Sequence, residues 1–420
     1  MKGLIVLFSF CGFIFATENN VCISFGDYYN DMENNPNCYF NPEADLDVTR
    51  IISRNGYPVE AHSALTVDDF MLTLFRIPHG KVPRQGYTPT PVLLQPGMGL
   101  NSVSYVDRGN TSLAFLLADA GFDVWLGNFR GSQYSQVHLF LKSDSIAYWN
   151  FSFHELGIYD IPAQISLINE VTGQEGNILY LGYSMGNTAG YVYNTIFPEQ
   201  ASKYIKVFIN LAPVIYTDNI KSVFKYFTFL WEWAQFLTDG NAFHKDLLKR
   251  DRVSTEIMKR ICLPYPIQMK LCWLGIMLLT GFDVDQMDPE TLPVTTIQHT
   301  DSIPAKMVTH FIQGISSHGF YHFNYGVEEN IKLYGSETPP PYNLSTVKVP
   351  VYIIYGNNDW LSTEQDVLRL YADLPEAAKQ HGIYKVNWTH FTHTDFLLAK
   401  DAKTLIYDHL IKFLENFNSL

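Results

Sequence analysis

Cleaving an ester with a side-chain hydroxyl takes three groups: a nucleophile, a base to accept its proton, and an acid to hold the base in one tautomer. Ser184, in Gly182-Tyr183-Ser184-Met185-Gly186, is the candidate nucleophile. The pattern alone is weak, since about one chain in seven of this length would carry it by chance at average Gly and Ser frequencies. Its setting is stronger. The apolar run Asn177 to Leu181 leads in, and a helical pattern to about Phe197 leads out. Such a strand–turn–helix is the elbow that projects a serine hydroxyl from a strained turn. Gly182 and Gly186 are needed because a side chain at either would strike the crossing strand or helix. The helix also aims its free N–H groups at a developing oxyanion. The Met185 N–H is therefore one oxyanion donor. The second is assigned to the Met98 N–H, in Gln95-Pro96-Gly97-Met98-Gly99, although a plain glycine-rich turn is the competing reading of that loop.

Acid and base follow such a nucleophile in that order along the chain. Val349 to Gly356 reads as a strand and ends in Asn357-Asn358-Asp359, which puts Asp359 on the same sheet edge as Ser184. A helix N-cap is the alternative role for this aspartate. For the base, His393, in Thr392-His393-Thr394-Asp395-Phe396, is the candidate, and His390 is its main rival. His318, His322 and His381 read as surface or packing residues, and Asp395 as a cap of the final helix.

The elements that must position these groups alternate. Thr66 to Phe75, Pro91 to Leu94, Phe122 to Leu126, Asn177 to Leu181, Tyr204 to Asn210 and Val349 to Tyr355 read as strands. Leu113 to Ala120, Tyr159 to Val171 and Ala402 to Phe417 read as helices. Strands separated by helices imply an α/β architecture with a mostly parallel sheet covered on both faces. Between about 216 and 335 the rhythm becomes helical and aromatic, notably Phe224 to Trp233. That segment reads as an inserted helical cap over the carboxyl edge of the sheet; ordinary helical core fits the aromatic stripe equally well. The expected organisation is a signal at 1–16, core at 17–215, cap with lid at 216–335, and core again at 336–420.

Composition narrows the partners. Of 420 residues 47% are hydrophobic and 17% charged, which describes a folded protein, and a formal charge of −13 without a basic run argues against nucleic acid. Lys2, the apolar Leu4 to Phe15, and Ala16 read as a secretory signal too short to span a bilayer. No later stretch reaches membrane-spanning length without charges or prolines. Cys11 leaves with the signal, and the remaining cysteines form two local pairs, Cys22 with Cys38 and Cys262 with Cys272, although three connectivities are open. Neither pair has zinc spacing, and no metal is expected. Asn110, Asn343 and Asn387 head acceptor sequons; the one at Asn150 lies in an aromatic stretch and is set aside.

Further motifs accompany the candidate site: Leu93-Leu94-Gln95-x-Gly97, Asn128-x-Arg130-Gly131, Trp149-x-Phe151-Ser152-Phe153-x-Glu155 and Tyr159-Asp160-x-Pro162. Leu211-Ala212-Pro213-Val214, Gly281-Phe282-Asp283, Gly356-x-Asn358-Asp359-Trp360-Leu361 and His393-x-Asp395-Phe396 follow. In this order they resemble the acid lipase family, which includes the gastric and lysosomal lipases, from about residue 46 to the C-terminus. The resemblance implies an α/β-hydrolase fold with a mostly parallel central sheet and an inserted helical cap and mobile lid. It maps the catalytic residues onto Ser184, Asp359 and His393, favouring His393 over His390, and it supports a Cys262–Cys272 disulfide in the cap. Two departures stand out. Tyr183 and Met185 occupy positions where the family usually has His and Gln, and Pro96 replaces a His before the oxyanion glycine. The implied activity is hydrolysis of acylglycerols or sterol esters at a lipid–water interface, without a cofactor, by a protein of the secretory pathway, extracellular or lysosomal. A carboxylesterase for soluble esters and a catalytically inactive lipid-binding or storage protein on the same fold are the alternatives.

Overall fold

The structure, a computed structural model, describes residues 19–83, 86–237, 245–247, 250–263 and 267–418. The expected signal at 1–16 lies outside the described residues. Eight labelled strands build the main sheet: β1 (Glu60–Leu65), β2 (Phe70–Ile77), β3 (Pro91–Gln95), β4 (Asp123–Leu126), β5 (Ile178–Tyr183), β6 (Ile205–Leu211), β7 (Val351–Tyr355) and β8 (Ile383–Lys385). A two-residue strand, Val137–His138, pairs with β2. The spatial order is β8-β7-β6-β5-β3-β4-β2-β1. All pairings from β8 across to β4 are parallel, whereas β2 is antiparallel to both β4 and β1. The carboxyl ends of β3, β5, β6 and β7 therefore open on one edge, where ligands of open α/β sheets bind.

The continuous apolar runs of these strands are explained by burial on both faces. Leu93, Tyr180, Phe208 and Ile353 pack towards the helix α2 (Ile161–Thr172). Their neighbours Val92, Leu181, Ile209 and Ile354 pack towards α1 (Leu113–Asp119) and the C-terminal helical segment containing Ile406 and Leu410. The nucleophile helix α3 (Met185–Ile196) follows β5 directly. Between β6 and β7 lie the helices α4 (Phe224–Leu237), α5 (Arg252–Cys262), α6 (Ile267–Thr280) and α7 (Ala305–Ser317). Disulfides join Cys22 to Cys38 and, between α5 and α6, Cys262 to Cys272.

One expected strand is divided. Thr66 to Phe75 contains a hairpin turn at 66–69, with β1 before it and β2 after it. Asp69 adopts φ +71°, and the Thr66 hydroxyl accepts the Phe70 N–H at 2.9 Å. Apolar alternation hid this reversal, because short polar side chains, rather than glycine, make the turn.

The turn is tied to the core through Arg130. Its guanidinium donates to Asp68 at 2.5 and 2.8 Å and to Asp160 at 2.6 Å, and its backbone N–H donates to Asp160 at 2.9 Å. Removing one partner from such a buried set leaves the other charges uncompensated. Arg130→Met is expected to destabilise the fold by about 3–5 kcal/mol, measured as a lowered denaturation midpoint.

Candidate active site

The turn after β5 is strained in the sense an elbow requires: Ser184 has φ +53° and ψ −117°. Its N–H donates to the Leu211 carbonyl at 3.0 Å, which fixes the turn against the end of β6. A Cβ on Gly182 would lie 2.4 Å from Asn187 Oδ1, and one on Gly186 would lie 2.6 Å from the Gln95 carbonyl oxygen. The two glycines thus let strand, helix and the loop after β3 approach one another.

Ser184, Asp359 and His393 come from three separate parts of the chain and converge. Ser184 Oγ lies 2.8 Å from His393 Nε2, and Asp359 Oδ2 lies 2.8 Å from His393 Nδ1. Asp359 and His393 are buried. The other Asp359 oxygen accepts the N–H groups of Leu361 at 2.9 Å and Ser362 at 2.7 Å. This carboxylate is therefore held in place by two backbone donors besides His393. Its bond to Nδ1 fixes the tautomer that leaves Nε2 facing the serine. His390 is exposed, and its carbonyl accepts from the Asn358 side chain.

Two N–H groups border the serine. Met185 is the first residue of α3, where backbone N–H groups have no partner within the helix. Met98 follows Gly97, whose own Cβ would sit 3.2 Å from Ser184 Cβ, and no backbone carbonyl among the described residues accepts the Met98 N–H. Met98 and Met185 line one small cavity of about 20 Å³ together with Phe129, Phe151, Leu156 and Met307. No group of His, Cys, Asp or Glu among the described residues is arranged to hold a metal ion.

Sequence reasoning missed three supports. Tyr183 is buried, and its hydroxyl donates to the His393 carbonyl at 2.8 Å, so this departure from the family pattern braces the base. Burial drives its phenol well above the usual range and keeps it a donor. The Thr280 carbonyl, at the end of α6, accepts the N–H groups of both Trp360 (3.2 Å) and His393 (3.3 Å). Asp395 does not cap the last helices: its carboxylate accepts the Thr392 N–H at 2.6 Å and closes the histidine loop. The first two have no local sequence signal, because their partners are far away in the chain; the third is a contact over three residues. Elsewhere, Asn110, Asn343 and Asn387 are exposed, and so is Asn150, despite its aromatic neighbours. His318 is exposed beside Asp218, His322 stacks on Tyr342, and His381 packs on Phe413 and Phe417.

Known proteins resemble this chain over most of its length. Residues 48–109 match the family described as "Partial alpha/beta-hydrolase lipase region", and residues 90–218 match "alpha/beta hydrolase fold". The chain is 35% identical to Lipase member K of Homo sapiens, over 90% of this chain and 92% of that protein. It is 33% identical to gastric triacylglycerol lipase of Bos taurus, covering 91% and 96% of the two chains. It is also 33% identical to a putative lysosomal acid lipase/cholesteryl ester hydrolase of Crotalus adamanteus, covering 89% and 92%.

Tyr183→Phe leaves the buried His393 carbonyl without its side-chain donor. The expected result is a stability loss of about 1–3 kcal/mol, read from the denaturation midpoint.

Proposed function

The chain belongs to the acid lipase family of α/β-hydrolases, and from that premise we propose that it hydrolyses carboxylic esters of lipids with Ser184 as nucleophile, His393 as base and Asp359 as the acid that orients it. The observation that carries this reading is the continuous hydrogen-bonded line from Ser184 through His393 to Asp359, on a serine held at positive φ. Ser184 Oγ attacks the ester carbonyl as His393 Nε2 takes its proton, and Asp359 stabilises the imidazolium that forms. The Met98 and Met185 N–H groups hold the oxyanion. His393 then returns the proton to the departing alcohol. In the second half it activates water, which releases the acid and restores the serine.

Lipid rather than soluble esters is favoured by the segment 216–335, which we read as cap and lid. The cavity beside the two N–H donors has room for about one water, and we read the cap as the element that moves to admit an acyl chain. The cap helices also present apolar faces to solvent. On α4, Tyr226, Phe229 and Trp233 are exposed; on α5, Val253, Ile257 and Ile261 recur every fourth residue. On α6, Ile267, Leu271 and Leu274 continue the apolar surface. No single helix among the described residues is long and apolar enough to cross a membrane. Such faces suit adsorption to a lipid surface. Residues 221–280 carry nine Lys and Arg against five Asp and Glu, in a chain of net charge −13, so an anionic interface is attracted by this part of the cap and repelled by the rest of the chain. The protein belongs to the secretory pathway, in keeping with its two disulfides. Glycans at the exposed Asn110, Asn343 and Asn387 fit either release from the cell or delivery to lysosomes.

Two measurements test the proposal. Ser184→Ala should abolish hydrolysis of emulsified acylglycerols or sterol esters, and Asp359→Asn should lower kcat by about 10⁴-fold; equal hydrolysis by wild type and Ser184→Ala would refute the assignment. An inactive wild type would point to a lipid-binding protein. Rate against substrate concentration should rise beyond the solubility limit, whereas a carboxylesterase for soluble esters would show no such rise. Replacing Ile257 and Leu271 together by Glu should weaken partition onto anionic lipid vesicles by about tenfold or more, while hydrolysis of a soluble ester persists.

A further inference from the structure

The end of α6 and the residues just after it touch both loops that carry the proposed acid and base. Thr280 accepts the N–H groups of Trp360 and His393, and Asn358 donates from its side-chain amide to the Phe282 carbonyl at 2.9 Å. Gly281 makes this approach possible: its φ is +114°, and a Cβ there would lie 2.4 Å from the Asn358 carbonyl oxygen. The chain then delivers Asp283 into the histidine loop, where its carboxylate accepts the Trp388 indole N–H at 2.5 Å. Asp283 and Asp395 line the same small cavity, within hydrogen-bonding reach of each other. Both are buried, and neither has a salt-bridge partner among the described residues. Two carboxylates so placed cannot both be charged without strong repulsion; one shared proton turns that repulsion into a hydrogen bond.

We propose that Asp283 and Asp395 are positioning residues that form a proton-bound carboxyl pair, latching the base of the cap to the loop that carries His393. The inference rests on the catalytic reading above. Neither carboxylate touches the reacting atoms. They act through the Thr392–Asp395 segment, which the latch holds against the Thr280 carbonyl while His393 Nε2 faces Ser184.

The surroundings give the latch its pH range. The titratable groups around the pair are Asp285, which favours the protonated state of Asp283, His390, which, when charged, favours its ionised state, and Tyr183, whose phenol stays neutral. Burial, followed by Asp283, raises Asp395 from the ordinary 3.8 to about 7, and burial likewise raises Asp283. A carboxyl with a raised pKa in the folded protein retains a proton that the unfolded chain has already released. Its contribution is therefore complete below about 3.8, declines as pH rises, and is gone above about 7. The latch is closed in acid and opens towards neutrality, so activity that depends on it declines on the basic side.

Asp395→Asn separates the two. The amide still accepts the Thr392 N–H and donates permanently to Asp283, so that no proton can be lost. The full-length protein would be assayed from pH 4 to 9 with a water-soluble fluorogenic short-chain ester, and Ser184 labelled in parallel with a fluorophosphonate. In the wild type kcat should fall as pH rises through about 7. In Asp395→Asn that basic limb should move up by about one pH unit or more, with KM little changed and the acid limb in place. Asp283→Asn, which can still accept from Trp388 and donate to Asp395, should reproduce the shift. Basic limbs superimposable on that of the wild type in both variants overturn the latch. A wild type that takes no label at any pH overturns the catalytic reading itself.

Discussion

Ser184 occupies a backbone conformation that L-residues avoid, at φ +53°, and a turn of this kind costs on the order of 1–3 kcal/mol unless its surroundings impose it. The surroundings here are the ends of three parallel strands. The end of β6 accepts the serine N–H through Leu211 and receives the Asn187 side-chain amide on the same carbonyl, while the carbonyl of Gln95, at the end of β3, approaches Gly186 too closely for any side chain. Once those contacts are made, the hydroxyl can point only out of the carboxyl edge. The loops after β3 and β7 and the segment after β8 then have a fixed target, and the two N–H donors, the acid and the base are arranged around it.

The second constraint is that the acid and base sit on loops rather than on strands. Loops need bracing, and much of it comes from the junction between the cap and the core. A single carbonyl, that of Thr280, receives an N–H from each loop, while Tyr183 on β5 secures the base from the core side. The helical insertion is thus more than a cover. The end of α6 is part of the scaffold that sets His393 beside Asp359. The exposed apolar residues of α4 to α6 lie on the same insertion.

Much of the fold was legible because its signals are local. Apolar runs flanked by turn residues located the strands from β3 to β7, and the glycines around Ser184 marked the elbow. The hairpin at 66–69 was not legible, since a turn made by threonine and aspartates keeps the apolar alternation of a strand. The short β8 and the helix Glu364–Asp373 also escaped notice. For the site, residue types and order pointed to Ser184, Asp359 and His393, with His390 a rival base that only the family motifs set aside. Geometry gives the reason for their difference: His390 is exposed at the surface, whereas His393 is buried between the serine and the aspartate.

By itself, then, the sequence determined the chemistry available: a serine on a strand–helix turn, an acid at a later strand end, and histidines after it. It also determined the α/β alternation that brings these to one edge. Only tertiary structure decided the partners, because hydrogen bonds between residues 76 to 210 positions apart leave no periodicity to read: Tyr183 with the carbonyl of His393, Asn358 and Trp360 with the end of α6, Asp283 with Trp388. Tyr183 shows the difference best. In the sequence it is an unexplained substitution beside the nucleophile; in the fold, burial leaves its hydroxyl one polar neighbour to satisfy, and that neighbour is the backbone of the base.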